Sequence, residues 1–166
     1  YELYCKLIRQ AVSGQTEERP EVKCELKIGA YIEDKYIPSE LQKLAVYKRI
    51  SEIDSAADRD ELLEELADRY GKPPESVRML AEVAYMRALA SKAGVERIRQ
   101  KEDAVIMSFA SGYSLDFARV TAAVNAFAPK AALSAGGNLA IVLRVKGMTD
   151  ADITALAVSV LEKINE

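Results

Sequence analysis

Residues 36–74, YIPSELQKLAVYKRISEIDSAADRDELLEELADRYGKPP, hold the strongest helix signals in the chain and its densest run of acidic residues. Pro38 suits the first turn of a helix, where its missing N–H costs nothing. The helix that follows is read with Leu41, Leu44, Tyr47 and Ile50 inward and Lys43, Lys48 and Arg49 more exposed. Asp54-Ser55-Ala56-Ala57 interrupts it. Asp58, with Glu61 three residues on, reads as a capping box in which two orphan N–H groups find acceptors. In the second helix Leu62, Leu63, Leu66 and Tyr70 are the expected core positions. Glu61, Glu65 and Asp68 fall at i, i+4 and i+7, so three carboxylates share one row on the solvent side, and Arg69 can pair with Glu65. Gly71 is placed to end this helix, and Pro73-Pro74 forbids its continuation and opens the next.

Outward from this stretch, residues 75–93 are expected as a third helix with Val77, Leu80, Ala81, Ala84 and Ala88 on one face, stopped by Gly94. Upstream, EVKCELKI (21–28) alternates Val22, Cys24, Leu26 and Ile28 against charged residues, the period-two mark of a strand with one dry face. SGQTEERP (13–20) reads as a polar connection, and 1–12 as an amphipathic helix. Downstream the character changes. VERIRQ and AVIMSF flank Lys101-Glu102-Asp103 as a hairpin, and Ser114 is read as the cap of a helix that ends before Pro129. AALS and LAIVLRV flank the turn Ala135–Asn138, where Gly136-Gly137 supplies positive φ, and a final helix is capped by Thr149 or Asp150. The expected fold is α+β: an N-terminal strand and three-helix unit, then a ββαββα part forming a four-stranded antiparallel sheet covered by two helices. The whole of 1–166 is read as one domain, with subparts 1–94 and 95–166.

Composition excludes several functions. The net charge of −3 disfavours a protein whose main task is gripping phosphates. There is no His and no GxxxxGK[ST], so histidine general-base chemistry and a P-loop are absent. Cys5 and Cys24 cannot alone supply the roughly four N or S ligands of a structural zinc site, and read as reduced thiols of a cytosolic protein. No apolar run approaches the roughly 18 residues of a membrane span. YELYCKLIRQ has neither the basic nor the apolar region of a signal peptide, and without an initiator Met the chain reads as a piece of something longer.

Four features give a resemblance. They are Tyr1-Glu2-Leu3-Tyr4, Ile37-Pro38 followed by Tyr47-Lys48-Arg49-Ile50, the run Glu65-Leu66-Ala67-Asp68-Arg69-Tyr70-Gly71 with Pro74, and the order of elements. Together they are similar to the C-terminal domain of the bacterial transcription-repair coupling factor family (Mfd), with Lys43 where the family pattern has Arg. Only the order of elements carries the likeness beyond Val95. The resemblance implies a regulatory module and not an enzyme. The parent would be an ATP-driven DNA translocase of nucleotide excision repair in the bacterial cytoplasm, with ATP and Mg in motor domains before Tyr1 and no cofactor here. The domain would fold back on a UvrB-like N-terminal module of the same polypeptide. There it would mask the surface that recruits UvrA and restrain the motor that displaces RNA polymerase. The resemblance raises Glu61, Glu65, Asp68 and Arg69 to candidate partner-binding residues. A second reading is a nucleic-acid-binding accessory domain using Lys43, Lys48 and Arg49 with Arg78 and Arg87. A third, an enzyme acting through the carboxylates, has no constellation behind it.

Overall fold

A computed structural model of the chain describes residues 19–166. The expected first helix, its Tyr1–Tyr4 start and Cys5 lie outside the described residues. Five strands and five helices follow in order: β1 (Lys23–Glu25), α1 (Glu40–Ser51), α2 (Ala56–Tyr70), α3 (Glu75–Ala93), β2 (Val95–Lys101), β3 (Ala104–Phe109), α4 (Phe117–Phe127), β4 (Ala131–Ser134), β5 (Ala140–Arg144) and α5 (Asp150–Ile164). The class and the order of elements are those expected. The sheet is larger. Its order is β1-β2-β3-β5-β4, with β1 parallel to β2 and every other pair antiparallel. The early strand, shorter than the eight residues read from alternation, therefore adds a fifth, parallel edge strand to the sheet.

The described residues form two compact units. One holds residues 28–88; the other holds 19–27 with 89–166, and the boundary falls inside α3.

In the helical unit the caps sit slightly off their expected positions. Ser39 caps α1 by accepting from the Gln42 N–H at 3.3 Å, so Pro38 lies before the cap and not inside the first turn. Ser55, not Asp58, caps α2: its hydroxyl accepts from Asp58 N–H at 3.1 Å, and the Asp58 carboxylate accepts from Asp54 N–H at 3.0 Å. The arrangement is close to the expected capping box, three residues earlier, with the carboxylate reaching the N–H one residue before the cap. Glu61 is thereby left out of it and faces solvent. Gly71 ends α2 at φ +85°, a conformation that L side chains rarely adopt, and Pro74 O accepts the first turn of α3 from Val77 and Arg78.

The inward face of α1 differs most from expectation. Leu41 is 80% exposed and Leu44 44%, whereas Lys43, Val46, Tyr47 and Ile50 are buried. Residues spaced by three step back about 60° around a helix each time, so Leu41 and Ile50 end on opposite sides. Positions 43, 46, 47 and 50 stay within one arc, and the Lys43 stem is carried inward with them. Its ammonium meets Asp34 and, at 3.4 Å, Glu40. Helix α3 carries more buried positions than one face provides: Val77, Met79, Leu80, Ala81, Val83, Ala84, Tyr85 and Met86 are all buried.

In the sheet unit Asp116 caps α4 by accepting from Arg119 N–H at 3.2 Å, two residues past the expected Ser114. Thr149 caps α5 at 3.1 Å from Asp152 N. Of the turn glycines 136 and 137, Gly137 is the one at positive φ. Gly94 has a second constraint besides its φ of +86°: a Cβ there would stand 2.3 Å from Cδ1 of Tyr113. Alternate residues Ile98, Met107 and Ile141, in register across three strands, are fully buried, as are Val105 and Leu143 in the next row. Cys24 is half-buried. No helix among the described residues is long and apolar enough to cross a membrane.

Candidate functional site

The acidic row lies on α2 as spaced. Glu61 and Asp68 are exposed, with no cation at ion-pair distance among the described residues, and Glu64 is exposed beside them. Glu65 is different. Its carboxylate accepts from Arg49 of α1 and lies 3.9 Å from Arg69, the i+4 partner expected from the sequence. The Arg69 guanidinium also rests 5.4 Å from the Tyr70 ring centre. All three charged side chains remain about half exposed, so these pairs are solvent-screened and individually worth well under about 1 kcal/mol. They orient the groups more than they stabilise the fold.

Around this triad α1 and α2 enclose a hollow of about 80 Å³, lined by Gln42, Ala45, Val46 and Arg49 on one side and Glu65, Leu66, Arg69 and Tyr70 on the other. Ligand pockets usually run from about 300 Å³ upward. This one is the size of a single side chain. Leu41 and Leu44 of the same helix are exposed but do not line the hollow. Among the described residues no group of three or more Cys, Asp or Glu is arranged to hold a metal.

Hydrogen bonds and ring contacts frame the site. Tyr36 donates from its hydroxyl to Gly71 O at 2.8 Å and Leu66 O at 3.2 Å, and its ring meets Tyr70 at 5.8 Å. Burial first, and the neighbouring Tyr70 second, push the Tyr36 phenol above its usual value. The Tyr47 hydroxyl accepts from the buried Ile32 N–H at 3.1 Å. Arg59 ties α2 to α3 through Glu82 at 3.0 Å and stacks 4.7 Å over Tyr85.

The basic group behind the nucleic-acid reading is not assembled. Lys43 is buried and engaged by carboxylates, Arg49 is spent on Glu65, and Arg87 is 5% exposed. Lys48 and Arg78 remain exposed. The sequence reading also missed the Arg49–Glu65 pair and the hollow. The partners are 16 residues apart on different helices, and no periodicity links them.

A family model described as the TRCF domain matches residues 26–120, well beyond the signature run. The transcription-repair-coupling factor of Bacillus subtilis (strain 168) is 31% identical over 121 residues, which is 70% of this chain and 10% of that protein. That of Escherichia coli (strain K12) is 28% identical over 119 residues, 66% of this chain and 10% of that protein. This chain thus spans about a tenth of the length of the curated relatives it matches. Among solved structures, a crystal structure of the C-terminal domain of transcription-repair coupling factor superposes with a TM-score of 0.82 at 25% identity, covering 90% of this chain and 94% of that one. The chain belongs to the TRCF domain family, that of the transcription-repair-coupling factors.

Proposed function

We propose that this chain is the non-catalytic, autoinhibitory C-terminal module of an ATP-dependent DNA translocase that couples transcription to nucleotide excision repair. It works by covering the UvrA-recruiting surface of a UvrB-like module in the same polypeptide. The supporting observation is the α2 face. Glu61 and Asp68 stand exposed and uncompensated on either side of a Glu65 clasped by Arg49 and Arg69, over a hollow the size of one side chain.

Such a face suits a releasable lock. Exposed carboxylates attract a basic partner surface, yet each contact is weak enough to be given up when the parent protein changes shape. An arginine from the partner reaching Glu65 displaces Arg49 or Arg69 and costs little, since those pairs are already solvent-screened. Because the attraction is between exposed charges, release is favoured by salt within the range set by a Debye length of about 8–10 Å.

The test is Glu65→Ala with Asp68→Ala in the full-length protein. The expected outcome is an unchanged fold, stronger UvrA binding and raised basal ATPase. Wild-type values for both activities would remove these residues from the lock.

A further inference from the structure

The five strands of the sheet unit have two faces of unlike chemistry. On one, the alternating residues Val95, Ile98, Val105, Met107, Ile141 and Leu143 are fully buried. On the other, the central pair Ile106 and Val142, in register with each other, is only half-buried, and Arg99 stands opposite Ile106 on the next strand. Arg97 and Lys101 continue the same face along β2, and Arg144 closes its far corner opposite Ala104. Along β2 these cations repeat at roughly 6.5–7 Å, two residues apart, while neighbouring strands lie roughly 4.8 Å from one another. The parallel edge strand adds Lys23 beside Arg97 and Glu25 beside Arg99.

The charge balance of this face is one-sided. Its paired strand positions carry Lys23, Arg97, Arg99, Lys101 and Arg144 against the carboxylate of Glu25, with Glu96 at the β2 irregularity and Glu102-Asp103 in the adjoining turn, in a chain whose net charge is −3. Glu25 is held by Arg97 at 3.0 Å and Lys23 at 3.4 Å. Among the described residues, no carboxylate lies at ion-pair distance from Arg99, Lys101 or Arg144. Five like charges gathered on one face repel one another, and an anionic partner relieves that repulsion.

We propose that this sheet face is a docking surface for an acidic amphipathic segment of a partner protein, distinct from the α2 face and independent of the role assigned to it. The partner's aliphatic side chains lie on Ile106 and Val142, and its carboxylates meet the β2 cations and Arg144. The aliphatic centre is what favours a peptide over a nucleic acid. Single-stranded nucleic acids are bound by stacking bases on aromatic rings, and no aromatic residue occupies an outward position on these strands.

The test uses the 166-residue chain and a fluorescent helical peptide with leucines on one face and glutamates on the other. Binding is expected at low salt and weakens as salt rises. Arg99→Glu with Arg144→Glu is expected to weaken it at least about tenfold, because like charges then oppose each other. Val142→Thr, of equal size, is expected to weaken it by a smaller factor, and Lys72→Glu in the helical unit to leave it unchanged. Thermal unfolding of each variant confirms that the fold persists. Three results would each overturn the proposal. They are no binding of the peptide at low salt, equal losses from the double variant and Lys72→Glu, and tighter binding of an oligothymidylate, which would assign the face to nucleic acid.

Discussion

In the helical unit, residues 28–88, individually placed polar ties join the elements around an apolar core that includes Ile37, Ile50, Leu62, Leu66, Leu80 and Met86. Tyr47 holds the Ile32 N–H, Tyr36 holds the end of α2, Lys43 meets Asp34, and Arg59 reaches Glu82. In the sheet unit the fully buried aliphatic and sulfur side chains are instead ordered into rows, in register across the strands. Apolar burial is proportional to area and has no direction, so it gives most of the stability and tolerates little loss of volume. Polar ties are worth less each but fix geometry. The residues that carry the resemblance fall into two groups. Ile37, Tyr47, Ile50, Leu66 and Gly71 belong to the frame that presents the face, while Asp68 and Arg69 belong to the face itself.

Three changes test that contrast, from the largest expected effect downward. Met107→Ala removes a fully buried side chain from the middle of the sheet and is expected to cost about 3 kcal/mol, read by denaturant unfolding. Tyr47→Phe keeps the ring but leaves the buried Ile32 N–H without that acceptor, for an expected loss of about 1–2 kcal/mol. Native-state hydrogen exchange should place that loss at Ile32 and in α1. A loss equal to that of Met107→Ala would break the distinction between the units.

The third effect is the smallest and depends on pH. Because the folded state raises the Tyr36 phenol above its usual value near 10, its contribution is intact below that pH and is lost as pH climbs through the folded value. The melting temperature should therefore fall less steeply in strong alkali for Tyr36→Phe than for the wild type. An identical alkaline slope would show that Tyr36 does not report on the helical unit. Glu25 in the sheet unit works in the opposite direction. Its hydrogen bond from Arg97, foremost, holds its carboxyl below the usual range, so what it contributes is lost on acidification.

Much of the helical unit was legible because capping and chain-breaking are local chemistry. Gly71 with Pro73-Pro74 set one junction correctly, and the α2 row survives as spaced apart from the engagement of Glu65. The cap positions shifted where two competent residues sit within a turn. Ser55 and Asp58 can each accept an N–H, and the structure uses both. The face of α1 was misread because Leu41 and Leu44 are apolar while Lys43 is charged, yet a long amphipathic side chain can bury its stem if carboxylates receive its head.

What the sequence determined by itself is therefore whatever rests on neighbours in the chain. That includes the α+β class, the order of elements, the helix stops at Gly71 and Gly94 and the acidic row of α2. The tertiary structure alone decided which stripe of α1 points inward and that β1 joins the sheet beside β2. It also decided that Arg49 reaches Glu65 across 16 residues and that five cations share one face of the sheet. Strand pairing and helix phase are set by surfaces meeting at long range, and no local period records which surface a residue will meet.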